Sequence, residues 1–167
     1  MNTALRHDPG LAERVLVHVP AMLDAHAPVP PGLGAGERLA LAWALKEAGH
    51  SAWNTEPQRT VRAAAALRVL CEGEPALRDD EPAPCHGERD GRQAVEPATP
   101  HREELAALSD WTDAIADIIG GRLTEAASAL DRAARRFRRV GQAQHAAQTQ
   151  VPKIMVRGIM GRHAEAA

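Results

Sequence analysis

Residues 123–139 read Leu123-Thr-Glu-Ala-Ala-Ser-Ala-Leu-Asp-Arg-Ala-Ala-Arg-Arg-Phe-Arg-Arg139. Leu123, Ala126, Ala127, Leu130, Ala134 and Phe137 recur at the 3.6-residue period of an α-helix and form one continuous apolar stripe. Gly141 follows closely, where a helix end favours glycine. Arg132, Arg135, Arg136 and Arg139 fall on the face opposite the stripe, and Arg138 adds to them. So one-sided a helix must lay its stripe against other helices.

The neighbouring segments supply them. Upstream, residues 102–119 predict a helix with Leu108, Trp111, Ile115 and Ile118 on one face, stopped by Gly120-Gly121. Downstream, residues 143–160 predict another, with Ala143, Ala147, Val151 and Ile154 in register. Pro152 either kinks that helix or marks a new start at Val151-Pro152, because proline lacks the amide donor. Residues 37–54 and 58–71 predict an earlier helical hairpin. Leu41, Leu45, Ala48 and Ala52 share a face of its first helix, with Leu39 and Trp43 beside them, and Ala63, Leu67 and Leu70 share a face of its second. Thr55 can cap the second helix and Pro57 suits its first turn. Residues 1–36 predict a short helix around Leu11 to Val19, then a Pro/Gly linker. Residues 73–100 hold five prolines, dense charge and few large apolar side chains, and predict a disordered acidic loop.

Composition agrees with helices. The chain has 167 residues, 44% hydrophobic and 25% charged, with no Tyr, one Phe and three Trp. Alanine supplies much of the apolar content, and β-branched and aromatic residues, which strands prefer, are scarce. A net charge of -2 makes the whole surface neither a polyanion trap nor an acidic decoy, and the few aromatic residues argue against a base-stacking surface for single-stranded nucleic acid. Two cysteines are too few for a disulfide framework. No secretory signal pattern and no apolar run of membrane-spanning length is present, so a cytoplasmic location is expected by default.

The sequence also repeats. Gly121-Arg-Leu-Thr-Glu-Ala126 and Gly161-Arg-His-Ala-Glu-Ala166 agree at four of six positions, each in a turn between predicted helices. Small residues at Ala114, Ala126 and Ala133 fall where facing helices approach closely. This pattern resembles tetratricopeptide-like repeats. Trp43 to Leu70 and Trp111 to Ala166 further resemble the helical repeats that precede bacterial caspase-like CHAT peptidase domains. The shared features are the Ala-Trp helix, the Gly-Arg turn and the run Ala129-Leu-Asp-Arg-Ala-Ala-Arg-Arg-Phe137. The resemblance implies an all-α stack of antiparallel helix pairs and a protein-binding role, and carries no catalytic residue to this chain. In the first hairpin either Thr60 or Ala63 can take the place of Ala126. The spacing from Ala126 to Ala166 is 40 residues, against the usual 34 of such a unit. Arg157 and Gly158 stand where the pattern wants apolar residues and alanine.

Candidate chemistry is sparse. Cys71, Cys85, His86 and His101 are the only metal-like set, and their spacing suits no zinc site. The glycines of Gly32-Leu-Gly-Ala-Gly36 lack the lysine of a nucleotide loop and read as a linker. Trp43, Trp53 and Trp111 read as packing residues.

The resulting expectation is an all-α, right-handed stack of antiparallel helix pairs in four parts: segment and linker 1–36, divergent hairpin 37–72, loop 73–100, and repeats 101–167 with the last one incomplete. No catalytic, metal or cofactor site is expected. The expected function is a non-catalytic scaffold binding a peptide or helix of a protein partner. Its surface would be the arginine face of Arg132, Arg135, Arg136 and Arg139, or an inner groove with Lys46, His50, Asp110, Asp113 and Asp117 pointing outward. The alternatives are a truncated regulatory part of a CHAT-type peptidase system, and nucleic-acid or acidic-ligand binding through the arginines. The last unit stops at Ala167, which predicts Val151, Ile154, Met155 and Ile159 short of cover and favours homo-oligomer formation through that end. Docking on a partner's helix, or covering by the segment Leu11 to Val19, are the other outcomes.

Overall fold

A computed structural model describes residues 9–72 and 100–161, and the predicted loop at 73–100 lies outside them but for Pro100. The described residues contain eight helical segments and no strand. They are α1 (Pro9–Leu16), α2 (His18–Asp24), α3 (Ala35–Ala52), α4 (Pro57–Glu72), α5 (Pro100–Ile119), α6 (Leu123–Arg139), α7 (Ala143–Gln148) and α8 (Gln150–Ile159). The fold is all-α. Helices adjacent in sequence stack side by side: α3 on α4, α4 on α5, α5 on α6, and α6 on α7 and α8, while α3 also reaches α5.

Small residues set the close approaches. A Cβ at Gly49 would lie 2.9 Å from the Cβ of Ala63, so α3 and α4 meet where neither has a side chain beyond a methyl. Thr60 donates its hydroxyl to the Gly49 carbonyl at 2.8 Å, which fixes the register at that crossing. Ala63 therefore occupies the tight approach that the sequence left open between Thr60 and Ala63. In the second hairpin Ala114, Ala126 and Ala133 are all fully buried, as predicted.

Three helix ends share one device. Gly121, Gly141 and Gly161 all adopt left-handed backbone, with φ near +73°. At the first, Gly121 N–H donates to Ile118 and Arg122 N–H to Asp117; at the second, Gly141 donates to Arg138 and Gln142 to Phe137. Those are Schellman closures, which satisfy carbonyls left open at a helix end and demand glycine. The three glycines stand twenty residues apart. Two such halves make the 40-residue spacing seen in the sequence.

The N-terminal segment differs from the expectation. Residues 9–24 form two helices, split at Val17, and Pro20 sits in the first turn of α2 instead of ending a helix. Val15, Val19, Met22 and Leu23 are buried in the common core, with α1 against α3 and α2 against α3 and α4. Four apolar residues in so short a stretch bury enough surface to dock it. The glycines that follow serve as a helix start: Gly34 precedes α3 and its N–H donates to Glu37 Oε2 at 3.1 Å. That hydrogen bond, with the Arg14 guanidinium beside it, holds the Glu37 carboxyl below its usual range.

Pro152 resolves as a new start. The helix breaks at Thr149, whose hydroxyl donates to the Ala146 carbonyl at 2.8 Å, and α8 begins at Gln150 with Pro152 in its first turn.

Candidate functional site

The first candidate is the inner side of the stack, where α3, α5, α6 and α7 converge. Trp43, Trp111 and Phe137 fill it: Trp111 meets Phe137 edge-on at 5.8 Å and Trp43 lies 6.2 Å from Phe137. His145 of α7 closes it, with its ring 4.5 Å from Trp43 and its Nδ1 2.9 Å from Gln142 Oε1. Two charged side chains enter this apolar layer. Glu104 accepts the Trp43 indole N–H at 2.7 Å, and the Lys46 ammonium lies 4.0 Å from the centre of the Trp111 ring. Lys46 was expected to point outward; it is 7% exposed. Its apolar stem and cation–π contact explain the difference, since a lysine can lie on an indole face and still reach a carboxylate at the rim. That carboxylate is Glu47, at 3.3 Å. Partial burial works against the charged form of Glu47, but the Lys46 charge and hydrogen bond outweigh it and lower its pKa.

His50 stays at the rim, 6.0 Å from Trp53 and 6.2 Å from Trp111. Burial, then the Lys46 charge, push the pKa of His50 down, and the same two causes lower that of His145. The seam lined by Lys46, His50, Thr60, Trp111, Thr112 and Ile115 leaves no room for water.

The second candidate is the arginine face, and here two predicted sets meet each other. Asp110 of α5 holds Arg132 at 2.9 Å and Arg136 at 2.9 Å, while Glu103 holds Arg136 at 3.4 Å and Arg139 at 3.5 Å. Asp113 pairs with Arg68 of α4 at 2.8 Å and Asp117 with Arg122 at 2.6 Å. Burial raises the pKa of Asp113 in spite of Arg68. Asp110, Asp113 and Asp117 were expected to point into a groove; they are half-buried and tie α5 to α4, α6 and the following turn. Of the four arginines named from the sequence, Arg132, Arg136 and Arg139 are engaged this way. Arg135 is exposed and, like Arg138, makes no ion pair among the described residues.

Compared with known proteins, the chain matches no family model, no curated protein and no solved structure. The site is therefore read from geometry alone.

The third candidate is α8. Pro152, Lys153 and Val156 face inward, and Lys153 forms an ion pair with Asp131 of α6. The opposite side carries Val151 at 71% exposure, Ile154 at 51%, Ile159 at 61% and Met155 at 37%. A Cβ added at Gly158, on the same side, would meet nothing within 4 Å. The N-terminal helices pack at the other end of the stack, against α3 and α4, and do not cover this stripe.

Other chemistry is thin. Among the described residues no group of three His, Cys, Asp or Glu side chains could hold a metal ion, and Cys71 is half-buried with its thiol 3.8 Å from the Leu105 carbonyl. Cys85 and His86 lie outside the described residues. A recess of about 180 Å³ beside Val29, Pro30, Pro31, Arg38 and Val69 is smaller than the roughly 300 Å³ at which ligand pockets begin. No described helix is long and apolar enough to cross a membrane.

Sequence reading missed Glu104 and His145. Glu104 had a visible signal: it falls in the same stripe as Leu108, Trp111 and Ile115, where a charge needs a partner. His145 had none, because it reaches Trp43 from more than 100 residues away.

Proposed function

We propose that this chain is a non-catalytic, tetratricopeptide-like interaction module that captures an amphipathic helix of a protein partner on α8. The observation that carries this reading is the stripe of Val151, Ile154, Met155 and Ile159. Four large apolar side chains stand together on one face of a helix whose other face is packed in the core. Exposed apolar patches of this kind mark association sites, and an amphipathic helix meets such a stripe through its own i, i+3 and i+4 positions.

The inner seam and the arginine face support the same choice by being occupied. Lys46, Trp43 and Trp111 fill the inner side, and α5 carboxylates hold three of the four arginines named from the sequence. Of the arginines on that face only Arg135 and Arg138 make no ion pair among the described residues, so nucleic-acid binding there ranks below helix capture. A regulatory part of a CHAT-type peptidase system would use the same α8 face to meet its partner.

The test is a selection from a library of helical peptides, followed by hydrogen exchange on the full chain with a selected peptide. Slowed exchange confined to α8 and the adjacent turns of α6 is the expected result. Protection centred on α3 and α5 would overturn the assignment of the face.

A further inference from the structure

We propose that His145 is an acid-operated latch: a proton on its imidazole releases α7 and α8 from the stack and uncovers the layer of Trp43 and Phe137, while α3 to α6 stay folded. The latch is independent of what α8 binds.

Geometry places the ring where a charge matters. Helix α7 packs on α6 and α8, and it reaches α3 through the His145 ring, 4.5 Å from Trp43 and 5.5 Å from Phe137. The rest of α7 gives little hold. It has six residues, and Ala146 is its one buried side chain. The left-handed Gly141 precedes it and the break at Thr149 ends it. A turn at Gly141 lets α7 swing without unwinding α6. Thr149 is buried and its hydroxyl is bonded back to the Ala146 carbonyl, so α8 follows α7 as one piece. What then resists is the contact of α8 with α6, where Lys153 pairs with Asp131.

Charge decides the direction. His145 Nδ1 lies 2.9 Å from Gln142 Oε1, an acceptor, so the neutral ring carries its hydrogen there and an added proton enters at Nε2. Nε2 makes no hydrogen bond among the described residues, so the new N–H gains no acceptor in the closed stack. An indole face attracts a cation, but Lys46 already occupies this layer, 4.0 Å from the centre of Trp111 and 6.0 Å from that of Trp43. Partial burial opposes the charged ring, and the Lys46 ammonium of α3 adds to it. Glu104 of α5 and Glu47 of α3 pull the other way without outweighing them, and α6 meets the ring with the uncharged Phe137. In the open form the ring is in water and takes the proton first, so acid favours opening.

The experiment is hydrogen exchange on the full chain at about pH 7.5 and about pH 5, on either side of the ordinary histidine value, corrected for the pH dependence of intrinsic exchange. Protection of α7 and α8 should fall about tenfold or more at the lower pH, which is what one unit of difference between the open and closed forms supplies. Protection of α5 should hold. H145Q, which cannot take the proton, should keep the same protection at both pH values, and H50Q should behave as the parent. An NMR titration of the parent keeps the test open if H145Q packs poorly: the His145 ring and the α7 amides should then share one midpoint below about pH 6.5. Unchanged protection of α7 and α8 in the parent would overturn the latch. So would a well-packed H145Q that opens in acid as the parent does, a ring midpoint above about pH 6.5, or a loss of protection spread equally over α5.

Discussion

Glu104 and Lys46 place opposite charges in one apolar layer, and an indole meets each. Trp43 donates to Glu104, and Trp111 lies beneath Lys46. Replacing Glu104 with Ala leaves the buried Trp43 indole N–H without its acceptor, which costs about 1–3 kcal/mol. Chemical denaturation of E104A should show that loss; a change under about 0.5 kcal/mol, the size of an ordinary surface substitution, would mean the hydrogen bond is dispensable. His145 gives a pH signature. Burial and Lys46 lower its folded-state pKa, so the unfolded chain takes up the proton first as pH falls. Its contribution is intact above the unfolded value of about 6.5 and is lost as pH drops toward the folded value. His50 acts in the same direction. The melting temperature should therefore fall on acidification below about pH 6.5, and H145Q should flatten that fall. A parent chain with level stability down to pH 5 would contradict it. At this scale the sequence was least informative. Lys46 sits among Leu41, Ala44 and Leu45 with nothing local to say that an indole 65 residues later would cover it.

Among elements, the close approaches and the turns were more legible, because they depend on residues only a few positions apart. Of the stripe predicted for α6, Ala126, Leu130, Ala134 and Phe137 are buried and Leu123 and Ala127 only partly so, while Ala129 and Ala133 join them inside. A126W should destabilise by roughly 1–3 kcal/mol or more through overpacking, while R135A, on an exposed position, should change stability by about 0.5 kcal/mol or less. Equal melting shifts for the two would place α6 the wrong way round. G49V tests the α3–α4 crossing, since its added carbons would push into Ala63. It should cost about 1–3 kcal/mol, and adding A63G should recover part of the loss by clearing the nearest methyl; no recovery would mean that the strain lies elsewhere. What the sequence concealed was the docking of α1 and α2. Pro20 reads locally as a stop, but the first turn of a helix tolerates proline. Leu23 and Val15 are apolar in a stretch whose burial depends on surfaces supplied by α3 and α4. The break before α8 was half-visible for the same reason: Pro152 announces an interruption, while Thr149 decides its position.

For the molecule as a whole, the stack is unequal at its two ends. The N-terminal end is covered by α1 and α2, which bury Val15, Val19, Met22 and Leu23 against the first hairpin. The middle is the most enclosed part, since α5 packs on α3, α4 and α6 together. The far end is held by α6 against α7 and α8, and α8 turns four large apolar residues to solvent. In a stack held by nearest-neighbour interfaces, stability follows the number of neighbours. Amide exchange should therefore rank the helices. Protection should be greatest in α5 and the adjoining side of α6, which opens only with global unfolding, and least in α7 and α8, which open locally. A bound amphipathic helix supplies the missing neighbour, so saturating peptide should raise protection in α8 toward that of α6 and leave α3 and α4 nearly unchanged. The same linkage sets the size of the effect: ligand at about one hundred times its Kd stabilises the bound state by about 2.7 kcal/mol. Native-state hydrogen exchange with and without peptide checks both parts. Equal protection of α5 and α8 in the free chain would show that α8 is already covered, and the case for its role as a docking face would then be lost.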